Sequence, residues 1–122
     1  MENQEVADVK KKFDRGDVFS DKCPSREILK HITSKWGLLI LLALSDGEIK
    51  RFSELRKTIH GVSEKMLAQT LKLLEEDKLV NRKSYDVVPP YVEYSLTELG
   101  LDLSKQVIGL TNWIEDNLMK LI

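Results

Sequence analysis

The 122-residue sequence predicts a mainly α-helical fold with a small antiparallel β wing, that is, a winged helix-turn-helix dimerised through terminal helices. Three observations predict it. From Ser63 the stretch to Leu79 reads as a helix with Leu67, Leu71 and Leu74 on one side, and Lys65, Gln69 and Lys72 on the opposite side at the same spacing. Just ahead, Arg51 to Ile59 carries the apolar stripe Phe52, Leu55, Ile59, and Gly61 allows a sharp turn between the two short helices. After Leu79 the helical period gives way to alternation, and a hairpin directly after a helix-turn-helix is a wing.

In chain order, residues 1–20 are polar with Val6, Val9 and Phe13 at helical spacing, then Val18 and Phe19 after Gly16. They form an N-terminal arm, either a short amphipathic helix that needs a surface to dock on, such as a dimer partner, or a disordered segment. Pro24 suits the first turn of a helix that runs to about Thr33 on Ile28, Leu29 and Ile32. Ser34 caps the next helix, whose WGLLILLALS run is apolar nearly all round and is therefore expected to be buried. Gly47 is expected to end that helix in a left-handed conformation, and Ile49 to Phe52 to form a short strand.

Ser53 and Ser63 are the expected caps of the two short helices. Leu79–Tyr85 and Tyr91–Leu96 are the wing strands, and Pro89 and Pro90 keep the connection between them out of the sheet. Thr97 caps a final helix running to the C-terminus. Leu103, Val107, Leu110, Ile114 and Leu118 recur along it with Trp113 beside them, a stripe longer than one small core needs and readable as a dimer seam. The chain thus divides into the arm at 1–20, a DNA-binding unit at 21–97 and a dimerisation helix at 98–122.

Composition is that of a folded, helix-rich chain, with 42% hydrophobic and 32% charged residues. No apolar run reaches the ~18 residues of a membrane span, and the acidic N-terminus is unlike a signal peptide, so a cytoplasmic protein with no membrane partner is expected. Net charge is −1, yet residues 49–85 hold nine Lys and Arg against five Asp and Glu, while the remainder holds ten against fifteen. Basic charge therefore concentrates on the segment that would face double-stranded DNA.

The sequence resembles the HxlR-type family of bacterial winged-helix regulators. The residues that carry the likeness are Cys23-Pro24, Lys35-Trp36, Arg51 to Leu55, Val62 to Leu67, Leu79-Val80, Arg82 and above all VPPYVEYSLTELG from Val88 to Gly100. The resemblance implies a homodimer that regulates transcription, usually as a repressor, at a near-palindromic operator. Ser34 and Lys78 stand where the family often has Gly. At Lys78 this requires a strained or altered turn into the wing.

Ser63, Lys65, Gln69 and Lys72 on the second short helix, with Arg82 and Lys83 on the wing, are the candidate DNA-binding residues. Gln bonds adenine bidentately and Lys reaches guanine acceptors or phosphate. Arg82 and Lys83 point to opposite faces of their strand, so at most one lies flat on a duplex. Glu64, which would either repel phosphate or accept from cytosine, is left out. Arg51 has two readings, a brace of the fold through a carboxylate, which is favoured, or a DNA contact.

The lone cysteine, Cys23, has two readings: a small buried hydrophobe, or a thiol beside Lys22 and Arg26 at a helix start, where thiolate is favoured. Some members of the resembling family sense oxidants or electrophiles with a cysteine at this position, which makes a small oxidant or electrophile a candidate partner. His31, His60 and Cys23 have no metal-ligand spacing, no Gly-rich loop cradles phosphate, and no catalytic residue or cofactor is expected. The rival readings are a docking module without sequence preference and a thiol enzyme.

Overall fold

The structure is a computed structural model, and it describes residues 18–122. The expected helix at Val6, Val9 and Phe13 lies outside the described residues. Helix α1 spans Pro24–Thr33, with Pro24 in its first turn. Helix α2, Lys35–Ala43, follows at once, capped by Ser34, whose hydroxyl accepts from the Gly37 amide and donates to the His31 carbonyl. The elbow is tight because Gly37 rests against that carbonyl, where a Cβ would collide.

Strand β1 is Lys50–Arg51, helix α3 is Phe52–Thr58 and helix α4 is Glu64–Glu76. Strands β2, Val80–Tyr85, and β3, Tyr91–Leu96, form the hairpin. Helix α5, Glu98–Asp116, and the single turn α6, Leu118–Leu121, complete the chain. The sheet has three antiparallel strands in the order β1-β3-β2. Lys50 and Arg51 pair with Tyr94 and Glu93, which ties the wing to the entrance of the helix-turn-helix.

The core gathers Ile40, Leu41 and Leu44 of α2, Leu55 of α3, Leu67, Leu71 and Leu74 of α4, and Val80, Tyr94 and Leu96 of the sheet. Burial of such side chains contributes roughly 1.5–3 kcal/mol each.

Several expectations change in the structure. Only part of α2 is buried: Gly37, Ile40 and Leu41 face inward while Leu39 is exposed. Ile28 and Leu29 are also exposed, and α1 buries no residue. Gly47 has a positive φ of 79°, but it lies beyond the Leu44 cap, in the turn after α2. Ser53 falls inside α3; the first turn is closed instead by Glu54, which accepts from the Arg51 amide at 3.1 Å. The last helix is interrupted at Asn117, whose side-chain amide donates to the Trp113 carbonyl and competes with the helical ladder.

Val107, placed on the dimer seam by spacing, is 4% exposed and belongs to the chain's own core, with Leu103 packed against it. The first half of α5, including buried Gly100 and Ser104, leans on α2, so it is part of the same core as the helix-turn-helix. Leu110, Trp113, Ile114 and Leu118 remain exposed.

The turn from α4 into the wing is where four elements meet. Lys78 has φ +63°, the left-handed region that side-chain-bearing residues disfavour. Around it the Lys78 amide donates to the Glu75 carbonyl and the Leu79 amide to the Leu74 carbonyl, both at helix-closing spacing, with Leu74 and Leu79 buried together. Thr97 then donates its hydroxyl to the Lys78 carbonyl at 2.7 Å and accepts from the Gly100 amide. Gly100 lies so close to the Leu79 carbonyl that a Cβ has no room.

Replacing Lys78 by Gly should therefore stabilise the protein by about 1 kcal/mol, the cost of a left-handed non-Gly residue less the added chain entropy. Urea unfolding measures it, and an unchanged or lower midpoint would contradict the strain.

Candidate nucleic-acid interface

Helix α4 is held by one face and open on the other. Its buried residues are Leu67, Thr70, Leu71 and Leu74, and Thr70 satisfies its hydroxyl by donating to the Met66 carbonyl at 2.7 Å. Lys65, Gln69 and Lys72 are all exposed, as periodicity predicts. Neither lysine has an ion-pair partner among the described residues, so their charge is available. Ser63 caps the helix by accepting from the Met66 amide at 3.0 Å, which leaves its own hydroxyl hydrogen free to turn outward.

Glu64, at the first turn of α4, is bound by the Arg56 guanidinium at 2.9 Å. This ion pair spans the turn between α3 and α4 and compensates the carboxylate that would otherwise repel phosphate. Sequence reasoning left Arg56 aside, since nothing in the spacing shows that a residue on one short helix reaches the start of the next.

The wing separates its two basic residues. Arg82 is opposite buried Tyr94, on the face of the sheet that looks toward α4. There Ala68, Lys72, Glu75, Arg82 and Tyr94 line a concavity of about 380 Å³ between helix and wing. Lys83 is opposite Glu93 on the other face, with its ammonium 5.1 Å from the centre of the Tyr85 ring. Tyr85 stacks on Tyr91 at 4.5 Å, and the Arg51 guanidinium sits 3.9 Å above Tyr91. The Glu93 carboxylate, as an acceptor for its hydroxyl, holds Tyr85 above its usual pKa. Arg51 thus braces the wing through an aromatic ring, where a carboxylate partner was expected.

Cys23 occupies the cap position of α1 and is 8% exposed, with Sγ 2.8 Å from the Ser25 hydroxyl. Its amide donates to the Ser20 carbonyl, closing the turn that leads into the helix. His60 is exposed in the turn before α4, and no group of His, Cys, Asp and Glu among the described residues could hold a metal. No helix of the described residues is long and apolar enough to cross a membrane.

A helix-turn-helix with one polar helix face turned outward and a hairpin beside it defines the winged-helix class of DNA-binding transcription regulators. The chain belongs to the HxlR-like helix-turn-helix family, whose model matches residues 31–121. It is 58% identical over 107 residues to the HTH-type transcriptional regulator YtfH of Escherichia coli (strain K12), covering 88% of this chain and 84% of that one. Among solved structures it resembles a transcriptional regulator ytfH from Salmonella typhimurium, with 59% identity, a TM-score of 0.82 and coverage of 87% and 94%. It also resembles the redox regulator HypR in its reduced form, with 39% identity, a TM-score of 0.72 and coverage of 80% and 96%. The two YtfH proteins are described as transcriptional regulators, and the chain, as a member of this family, is a transcription regulator and not an enzyme.

Proposed function

We propose that the protein is a homodimeric, sequence-specific repressor that reads a near-palindromic operator with α4 and responds to an oxidant or electrophile through Cys23. The observation that carries the DNA-reading part is the ridge of Lys65, Gln69 and Lys72, exposed and without ion pairs among the described residues, on a helix whose other face is locked in the core. Set in a major groove, Gln69 is the residue able to read a base edge in two bonds, and Lys65 and Lys72 reach guanine acceptors or phosphate. The Ser63 hydroxyl at the start of the helix is placed for a phosphate oxygen. Arg82, across the concavity from Lys72, completes the surface as a backbone contact.

Leu110, Trp113, Ile114 and Leu118 supply the dimer seam. Trp113 is 56% and Leu110 50% exposed, an apolar cost that a second copy of α5 removes. Two copies of α4 then meet half-sites about 34 Å apart, one turn of the duplex.

For Cys23 the supporting observations are its place at a helix start beside a hydroxyl and the likeness to a protein described as a redox regulator. With one thiol per chain, oxidation joins Cys23 of two subunits, or joins Cys23 to a small-molecule thiol. The two thiols lose two protons and two electrons to the oxidant as the sulfur–sulfur bond forms; an electrophile instead adds to one thiolate. Either product is bulkier than the thiol in its nearly closed site, and the turn at Ser20 to Cys23 must open to admit it.

Three outcomes test the reading. Gln69→Ala should lower affinity for the selected operator by about 1–3 kcal/mol and relax preference at one position of each half-site; equal affinity in a mobility-shift titration would remove Gln69 from base reading. Arg82→Ala should weaken all duplexes alike and reduce the salt slope by ~1, while Lys83→Ala, on the far face, leaves the slope unchanged. The reverse pattern would place DNA on the other side of the wing. Finally, Cys23→Ser should stay bound when diamide or a quinone releases the parent protein; release of both would exclude the thiol.

A further inference from the structure

The C-terminal end of the reading helix is hydrogen-bonded to α1 by a pair 46 residues apart in sequence. His31 Nδ1 lies 2.7 Å from Asp77 Oδ2, and both side chains are only 11% exposed. Asp77 is the cap residue of α4, directly before left-handed Lys78. The charged groups around the imidazole are Asp77 from α4 and, from its own helix, Glu27 at 3.5 Å from Nε2, which in turn lies 4.0 Å from Lys30.

We propose that this bond is the linkage through which α1 and the DNA-reading helix set each other's position, with His31 and Asp77 as positioning residues. It rests on the reading of α4 as the DNA-binding helix. Three features of the structure support it.

Among the described residues, helix α1 buries little to hold it. None of its residues is buried, Ile28 and Leu29 are exposed, and Ile32 is the apolar side chain that packs on the core. Among the contacts of the described residues, one hydrogen bond shielded from water, with a carboxylate as acceptor, is therefore a large share of what fixes the helix.

The backbone at His31 is itself immobilised. Its carbonyl accepts from Ser34 and is pressed by Gly37, so the end of α1 turns with the elbow. Cys23 and the turn before it stand at the far end, about 12 Å from His31 at 1.5 Å per residue. A tilt that displaces that end by several ångströms moves His31 by much less, yet a hydrogen bond tolerates only a few tenths of an ångström. The bond is therefore made or broken, and does not stretch.

On the receiving side, the end of α4 has no slack. The Lys78 turn, the Thr97 hydroxyl and the close approach of Gly100 join it to β2 and α5. A pull on Asp77 is therefore borne by α4 and the wing together.

Linkage is reciprocal, so DNA must steady α1 although α1 is off the proposed contact surface. Hydrogen exchange of the full-length protein, free and bound to a duplex selected from random sequence, measures this at the amides of residues 27–33. Wild type should exchange there about fivefold or more slowly with DNA. His31→Asn, whose side-chain amide can take the place of Nδ1–H, should keep that effect. His31→Leu and Asp77→Ala should each abolish it, the double variant no further than either, while exchange of the α2 core in the free protein stays as in wild type. A DNA-dependent slowing that survives His31→Leu, or is absent from a wild-type complex, overturns the linkage alone. If wild type forms no complex with any duplex in a mobility-shift assay, the DNA reading falls and the linkage with it.

Discussion

Leu67, Leu71 and Leu74 are fully or almost fully buried on one side of α4, and that burial decides what the opposite side can do. A 13-residue helix fixed along one stripe cannot rotate without drawing three leucines into water. At roughly 2 kcal/mol for each such side chain, the orientation of Lys65, Gln69 and Lys72 is set by the core and needs no polar partner to maintain it. The cap at Ser63 and the Lys78 turn fix where the helix begins and ends, so position along its axis is determined as well as rotation about it.

Neighbouring elements extend that constraint outward. The Arg56–Glu64 pair neutralises the one acidic group at the head of the helix, and Arg82 lies across a concavity from Lys72. The Arg51–Tyr91–Tyr85–Lys83 stack stiffens the opposite face of the wing, so its aromatic and cationic groups are engaged with each other. A basic, conformationally fixed surface thus forms on a chain whose net charge is −1. Distribution outweighs total charge when the partner is a duplex, because phosphate contacts are local.

Local physics was readable in the sequence. The helical period of α4, the caps at Ser34, Ser63 and Thr97, the prolines between the wing strands and the strained position at Lys78 all act over a few residues, and the structure has each of them. What spacing alone misplaced depends on how helices meet. Val107 fits a seam and a core equally well by period, and only the approach of α5 to α2 assigns it to the core. The open face of α2 reads as buried by its composition for the same reason. The Arg56–Glu64 and His31–Asp77 contacts join separate helices, and no local pattern foretells them. Asn117 shows the limit in the other direction: a local competitor for backbone hydrogen bonds ends α5 inside a stripe whose apolar period continues past it.

The central claim is that two outward ridges, one from each subunit, enter successive major grooves on one side of a duplex. Hydroxyl-radical footprinting of the protein on a selected operator tests it most directly. The account predicts two protected patches centred about 10 base pairs apart and related by a two-fold axis, each weakened when Lys65 and Lys72 are both replaced by Ala. A single protected patch, or a footprint that the double replacement leaves intact, would contradict it.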